Sequence, residues 1–271
     1  MKTRIISGVV AAAIVLLLFV VNMWLPLTIT IALSVLSAFA CYEILYNTKA
    51  IKKKAPVFVA MVYSAAFVIL SEAVGTDITI LTLAYIFLVV LFAIFDHKSF
   101  EAHSITMALS MPILISFAFC FLCRLTLVGE AGLLLLFLLL NFSSISDIFA
   151  YFVGSAVGKH KLAPVVSPKK TIEGAVGGLV GATVFTAIIC IIFEAIYPVN
   201  INMVALLIAT PFLSAIGIMG DLFMSSIKRT YGIKDYGNLM PGHGGVLDRL
   251  DSVLMVAPAL VCFTQYVPII I

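Results

Sequence analysis

Apolar positions in this chain come in long unbroken runs, without the alternation of a half-buried strand, and short polar breaks separate them. Runs of roughly 17 to 25 apolar residues, coiled as helices, match the thickness of a bilayer's hydrocarbon layer. They predict about nine spans, over residues 5–21, 27–46, 57–70, 78–95, 105–128, 133–157, 175–196, 203–225 and 247–267. A membrane barrel would alternate with period two, so the expected fold class is an all-α integral membrane protein. The pattern also divides the chain into five generic apolar helices (1–131) and a second part (132–271) whose helices carry polar stripes and longer polar connections.

Composition strengthens this picture, because 63% of the 271 residues are hydrophobic, more than a globular core could hide. Nothing is left over for a separate soluble domain. The five cysteines, an odd number with no C-x-x-C pair on a polar loop, fall in or near apolar runs and read as buried hydrophobes. The net charge of +3 matters less than where the charges lie. With the N-terminus in the cytoplasm, Arg124 alone of the 16 Lys and Arg falls away from the cytoplasmic side, whereas Glu72, Asp77, Glu130 and Glu194 lie opposite. This satisfies the positive-inside rule. Lys2 and Arg4 ahead of the first run would also suit a signal peptide, whose removal leaves the rest of the topology unchanged.

Three polar stripes stand out within the apolar helices. Asn141, Ser144, Asp147, Tyr151 and Ser155 share one face of the sixth helix, and Ser214, Gly217, Asp221, Ser225 and Lys228 one face of the eighth. The ninth begins with Asp248, Asp251 and Ser252. A charge at the centre of a lipid-facing helix costs roughly 2.5 to 3.5 kcal/mol, so these groups must face a shared interior. Pairing with bases as interhelical glue is the plainer reading. It needs bases inside, however, and here they cluster in the loops.

Two loops hold those bases. Residues 225–251 (SSIKRTYGIKDYGNLMPGHGGVLDRLD) form the longest interruption of the apolar pattern, with glycines and Pro241 that keep a helix from running through. The segment SPKKTIEG places Lys169 and Lys170 between the hydroxyls of Ser167 and Thr171, either as a positive-inside anchor or as the start of a helix whose free N–H groups favour an anion. Carboxylates able to hold Mg²⁺ and a ring of Lys and Arg are together what phosphoryl or nucleotidyl transfer requires. A P-loop-like GSAVGKH at 154–160 has too few residues between its glycines, and His160 in place of the Mg²⁺-binding hydroxyl.

The long loop resembles the signature of the phosphatidate cytidylyltransferases, in the residues Ser225, Lys228-Arg229, Lys234-Asp235, Gly237, Pro241, His243-Gly244-Gly245, Asp248-Arg249 and Asp251. SPKKTIEG resembles a second segment of the same family, with Ile172 where Trp is frequent. The resemblance implies that CTP and phosphatidic acid give CDP-diacylglycerol and pyrophosphate with Mg²⁺, at a site on the cytoplasmic ends of the C-terminal helices. It implies Asp221 and Asp248 as metal ligands, with a second cation as an option at the same centre. The catalytic set expected is Asp147, Lys228, Arg229, Asp235, His243 and Asp251. Substrate binding is expected from Ser167, Lys169, Lys170, Thr171, Ser225, Lys234, Gly244, Gly245 and Arg249.

His243 has two readings, contact with a phosphate or capping of the glycine turn. Gly174, Gly178 and Ala182 would let their helix pack closely beside the site or serve a homodimer interface. The expected partners are CTP, phosphatidic acid and the bilayer, with no nucleic acid, in the plasma membrane of a bacterium. The alternatives are a cation-coupled transporter relaying through Asp147 and Asp221, and a cytidylyltransferase or kinase acting on another lipid.

Overall fold

The computed structural model describes residues 2–74, 77–96, 100–127, 129–239 and 244–271. The apolar runs are all helical: α1 (Lys2–Trp24), α2 (Thr28–Tyr42), α3 (Lys54–Ile69), α4 (Thr79–Phe95), α5 (Ala102–Leu127), α6 (Gly129–Leu140), α7 (Ser146–Val157), α8 (Ile172–Ile196), α9 (Met203–Thr230), α10 (Leu247–Leu250) and α11 (Val253–Tyr266). Among the described residues, seven helical stretches are long and apolar enough to cross a membrane. The fourth and ninth predicted spans correspond to shorter helices, α4 at 17 residues and α11 at 14.

Three π-helical turns extend or join these helices, at Glu43–Asn47 after α2, Leu70–Val74 after α3 and Asn141–Ile145 between α6 and α7. Each widens the helix locally and changes the phase of the residues beyond it. Two further departures from the expected pattern concern the loops. The predicted ninth helix is broken, because α10 ends at Leu250 and a turn at Asp251 and Ser252 precedes α11. A short antiparallel hairpin, β1 (Lys161–Ala163) and β2 (Ser167–Thr171), stands within the otherwise helical fold, pairing Lys161 with Thr171 and Ala163 with Ser167.

The chain forms two compact units, each discontinuous in sequence. The first comprises Met1–Cys123 and Thr230–Leu250, and so joins the first helices to most of the long signature loop. In its core Tyr63 stacks on Tyr85 with ring centroids 4.1 Å apart, and Phe67 meets Phe117 edge to face. Tyr236, from the loop, is among the largest fully buried side chains.

The second unit comprises Arg124–Arg229 and Asp251–Ile271. Here α7 lies directly on α8. A Cβ at Gly174 would come within 2.6 Å of the Ala150 carbonyl oxygen, and one at Gly178 within 2.8 Å of that of Ser146. The Gly174, Gly178, Ala182 stripe therefore serves packing inside the chain, where small residues let two backbones approach. Polar side chains lock the same helices together. Asn141 Nδ2 donates to the Ala182 carbonyl (3.0 Å) and Thr186 Oγ1 (2.9 Å), and Thr186 meets Thr210 of α9 at 2.9 Å.

Candidate active site

The polar stripe of α9 is observed as expected: Ser214, Gly217, Ser225 and Lys228 are buried and Asp221 is half-buried on the same face. The stripe of the sixth predicted helix is divided. The π-turn at 141–145 sends Asn141 into the contact with α8 and leaves Ser144 exposed, while Asp147, Tyr151 and Ser155 continue together along α7. A constant 3.6-residue period could not foresee that change of phase.

Asp147 on α7 and Asp221 on α9 converge on one ammonium group. Lys170 Nζ lies 2.6 Å from Asp221 Oδ2 and 3.2 Å from Asp147 Oδ1. The hairpin makes this possible, since β2 ends at Thr171 and delivers Lys170 between the two helices. Thr171 is the N-cap of α8, its Oγ1 accepting from Gly174 N at 3.1 Å, so that of the two readings of SPKKT the helix start is the one observed. Burial disfavours the Lys170 charge, but the carboxylates of Asp147 and Asp221 outweigh it and hold the ammonium above its ordinary range.

Asp221 has a second acidic neighbour. Its carboxyl group is in hydrogen-bond contact with that of Asp251, and buried Lys228 adds positive charge beside both. Ser225 Oγ donates weakly to Asp221 Oδ1 at 3.5 Å, and Ser252 N donates to Asp251 Oδ1 at 2.9 Å. Two carboxyl groups in contact cannot both ionise unless a cation or a shared proton separates them. Arg229, at the end of α9, reaches the hairpin turn through Nε to the Val166 carbonyl at 3.3 Å.

Beside this cluster opens a cavity of about 490 Å³. Its lining includes Asp147, Ser167, Lys169, Lys170 and Thr171, which the sequence had suggested, and Tyr151 and Lys161, which it had not assigned. Lys161 had a signal in the basic run GKHK, but only the hairpin register turns it towards SPKKT. Tyr151 belongs to the expected stripe, with no hint that it would stay largely exposed.

The remaining signature residues belong to the first unit. Asp248 is buried, and its Oδ2 accepts from Tyr236 N at 2.8 Å and Gly245 N at 3.0 Å. The two expected metal ligands thus lie in different units, Asp221 with Asp251 and Lys170 in one, Asp248 with its own loop in the other. Lys234, Asp235 and Arg249 are exposed, and Asp235 lines a second cavity of about 830 Å³ with Lys49, Lys52 and Tyr46. Gly244 has φ +90°, the left-handed conformation that a glycine tolerates at no cost. His243, with Met240, Pro241 and Gly242, lies outside the described residues. Glu43 is missing from the expected site residues, yet its carboxylate accepts from Val246 N and Leu247 N, both at 3.0 Å. Its signal was a lone acid in an apolar helix.

Among the described residues no group of three or more His, Cys, Asp or Glu is arranged to hold a metal ion. The chemistry of the acidic pair still fits a hard divalent cation. Mg²⁺ prefers oxygen and is usually held by one or two carboxylates plus the phosphates of a substrate. Lys170 Nζ, between Asp147 and Asp221, shows that a cation is accommodated there.

Comparison with known proteins agrees with this chemistry. The model of the cytidylyltransferase family matches residues 2–267. A phosphatidate cytidylyltransferase of Bacillus subtilis is 34% identical over 265 residues, 96% of each chain. One of Thermotoga maritima is 31% identical over 263 residues, 95% of this chain and 94% of the other. One of Staphylococcus haemolyticus is 47% identical over 116 residues, 43% of each chain. Because the likeness runs nearly end to end, this chain belongs to the cytidylyltransferase family.

Proposed function

We propose that this protein is a phosphatidate cytidylyltransferase, converting CTP and phosphatidic acid into CDP-diacylglycerol and pyrophosphate in phospholipid biosynthesis. The observation that carries the reading is the junction of Asp147, Lys170 and Asp221 at the edge of a cavity lined with Ser167, Lys169 and Thr171. Such a junction sets paired acids and cations beside a space large enough for phosphate groups.

In the reaction, a phosphate oxygen of the lipid attacks the α-phosphorus of CTP. That P–O bond forms as the bond between the α-phosphorus and the β-phosphate oxygen breaks, and pyrophosphate leaves with the electron pair. Phosphatidate is already largely ionised near neutral pH, so no base is required to create the nucleophile. The demand on the protein is to neutralise and align crowded phosphates. Lys169, Lys170, Lys228 and Arg229 bind phosphate oxygens, while Ser167 and Thr171 donate hydroxyl hydrogen bonds. Asp147 holds Lys170 in place. Lys234, Asp235, His243, Gly244, Gly245, Asp248 and Arg249 are the signature groups that complete phosphate handling.

Asp221 and Asp251 would hold Mg²⁺, which supplies charge neutralisation to the triphosphate when bound. The apolar helices span the membrane with the N-terminus in the cytoplasm, where the basic loops meet CTP, and the lipid enters sideways with its phosphate at headgroup depth.

The test is CTP-dependent turnover of phosphatidic acid by purified protein in mixed micelles, following CDP-diacylglycerol and pyrophosphate together with and without Mg²⁺. Equal appearance of both products, only with the metal, is the expected result. Folded protein that makes neither product from a panel of lipid phosphates would overturn the assignment.

A further inference from the structure

Among the carboxylates of the first unit that the reaction scheme leaves unused, Glu43 takes its hydrogen bonds from the signature loop. Glu43 opens the π-helical turn Glu43–Asn47 and is 4% exposed, followed by the fully buried Ile44 and Leu45. Its Oε1 accepts from Val246 N and its Oε2 from Leu247 N, both at 3.0 Å. These amides immediately precede Asp248 and Arg249. Gly237 and Gly245 approach so closely that a Cβ on either would collide with the Glu43 carboxylate. One turn further on, Asn47 Nδ2 donates to the Tyr236 carbonyl at 2.7 Å. The loop then closes on itself, with Tyr236 N and Gly245 N both donating to Asp248 Oδ2.

Glu43 and Asn47 therefore grip the loop at Tyr236 and at Val246–Leu247, and Asp248 ties these two stretches together. A carboxylate accepting two backbone N–H bonds in an apolar setting is a charge-assisted clasp, stronger and more directional than a neutral contact. Ordinary interhelical packing would need neither the charge nor the two glycines cleared around it. The π-turn has the same logic, because such turns re-aim side chains and concentrate at functional positions.

We infer that Glu43 is a positioning residue for cytidylyl transfer: it fixes the backbone of residues 245–247 so that Asp248 and Arg249 are presented in their working geometry. This rests on the reaction proposed above. It also gives the N-terminal helices a task, to brace the signature loop.

The decisive variant is Glu43→Gln, which keeps the shape but sets an NH₂ against one of the two backbone N–H groups. Purified full-length Glu43→Gln is expected to lose kcat on the order of 10- to 100-fold, the usual cost of removing a group that orients a functional residue. KM for CTP and for phosphatidate should stay within about threefold, because Glu43 touches neither substrate. Amide exchange at Val246 and Leu247 should accelerate about 10-fold or more, as the carboxylate that protects them is gone. Glu43→Asp, which retains both acceptors, should recover part of kcat.

Wild-type kcat in Glu43→Gln, or unchanged exchange at those amides, would overturn the inference. If Glu43→Gln does not fold, Glu43→Asp carries the same measurements, and wild-type kcat alongside accelerated exchange at Val246 and Leu247 would overturn it equally. Exchange is read without turnover. A wild-type protein that makes no CDP-diacylglycerol would thus defeat the reaction assignment, and a Glu43 clasp seen by exchange would survive it.

Discussion

The Lys170 junction and the Asp248 loop both depend on acids, half-buried in the first and buried in the second, but they use them in opposite ways. At the junction, Asp147, Asp221 and Asp251 face mobile side-chain cations and one another. In the loop, Asp248 and Glu43 face backbone N–H groups. An ammonium or a proton can give way to a metal ion or rearrange around a phosphate, whereas a backbone amide cannot leave. The junction is built for exchange of partners and the loop for a fixed shape.

The sharpest test of that contrast is Asp221→Asn, which keeps the side-chain size but removes the charge shared with Lys170 and Asp251. It should reduce CDP-diacylglycerol formation by about 1000-fold, the scale of losing a principal electrostatic group at a reacting phosphate, while the protein stays monodisperse in detergent. Retained activity would remove Asp221 from the metal site.

Lys170→Met should cost about 100-fold in turnover and about 2 kcal/mol of stability, less than a fully buried pair because 23% of the side chain is exposed. Adding Asp147→Asn should restore part of the thermal stability and none of the turnover, and additive losses would show that the two do not interact. The folded-state pKa of Lys170 is raised above the ordinary 10.5, so its charge contributes fully below that value and is lost only as pH rises past the folded one. A pH profile of kcat/KM should accordingly show no lysine step between about pH 7 and 9.

Asp248→Asn reports on the loop. The amide oxygen can still accept from Tyr236 N and Gly245 N, so exchange protection should persist while activity falls about 100-fold through the lost charge. Near wild-type activity would reduce Asp248 to a brace. The smallest effect is expected from Thr171→Val, which deletes the cap of α8 and one hydroxyl donor to phosphate, and should cost about 1 kcal/mol of stability, about 2–4 °C in the thermal midpoint, and about 10-fold in turnover.

Much of this arrangement could be read from residue pattern alone. The apolar runs located the helices, the spacing of Ser214 to Lys228 found the buried face of α9, and Thr171 offered the start of α8 as one of two readings. What escaped was set by geometry that spacing does not encode. The π-turn at Asn141–Ile145 split a stripe that a uniform helix would keep together, and the hairpin carried Lys170 and Lys161 to the same cavity. Nor could spacing choose among aspartates. Asp248 and Asp251 are three residues apart, yet the break after α10 puts the first with the loop and the second beside Asp221.

The contact between Glu43 and Val246 spans 203 residues. At about 5–20 residues per second of synthesis, the acid reaches the bilayer about 10–40 s before its amide partners exist. The first unit therefore cannot finish folding when its own helices have been inserted, and must wait until residues 124–229 of the second unit have been made. A chain interrupted before Val246 would carry α1 to α9 and a Glu43 carboxylate without either of its backbone donors, which sets an unfinished protein chemically apart from a finished one.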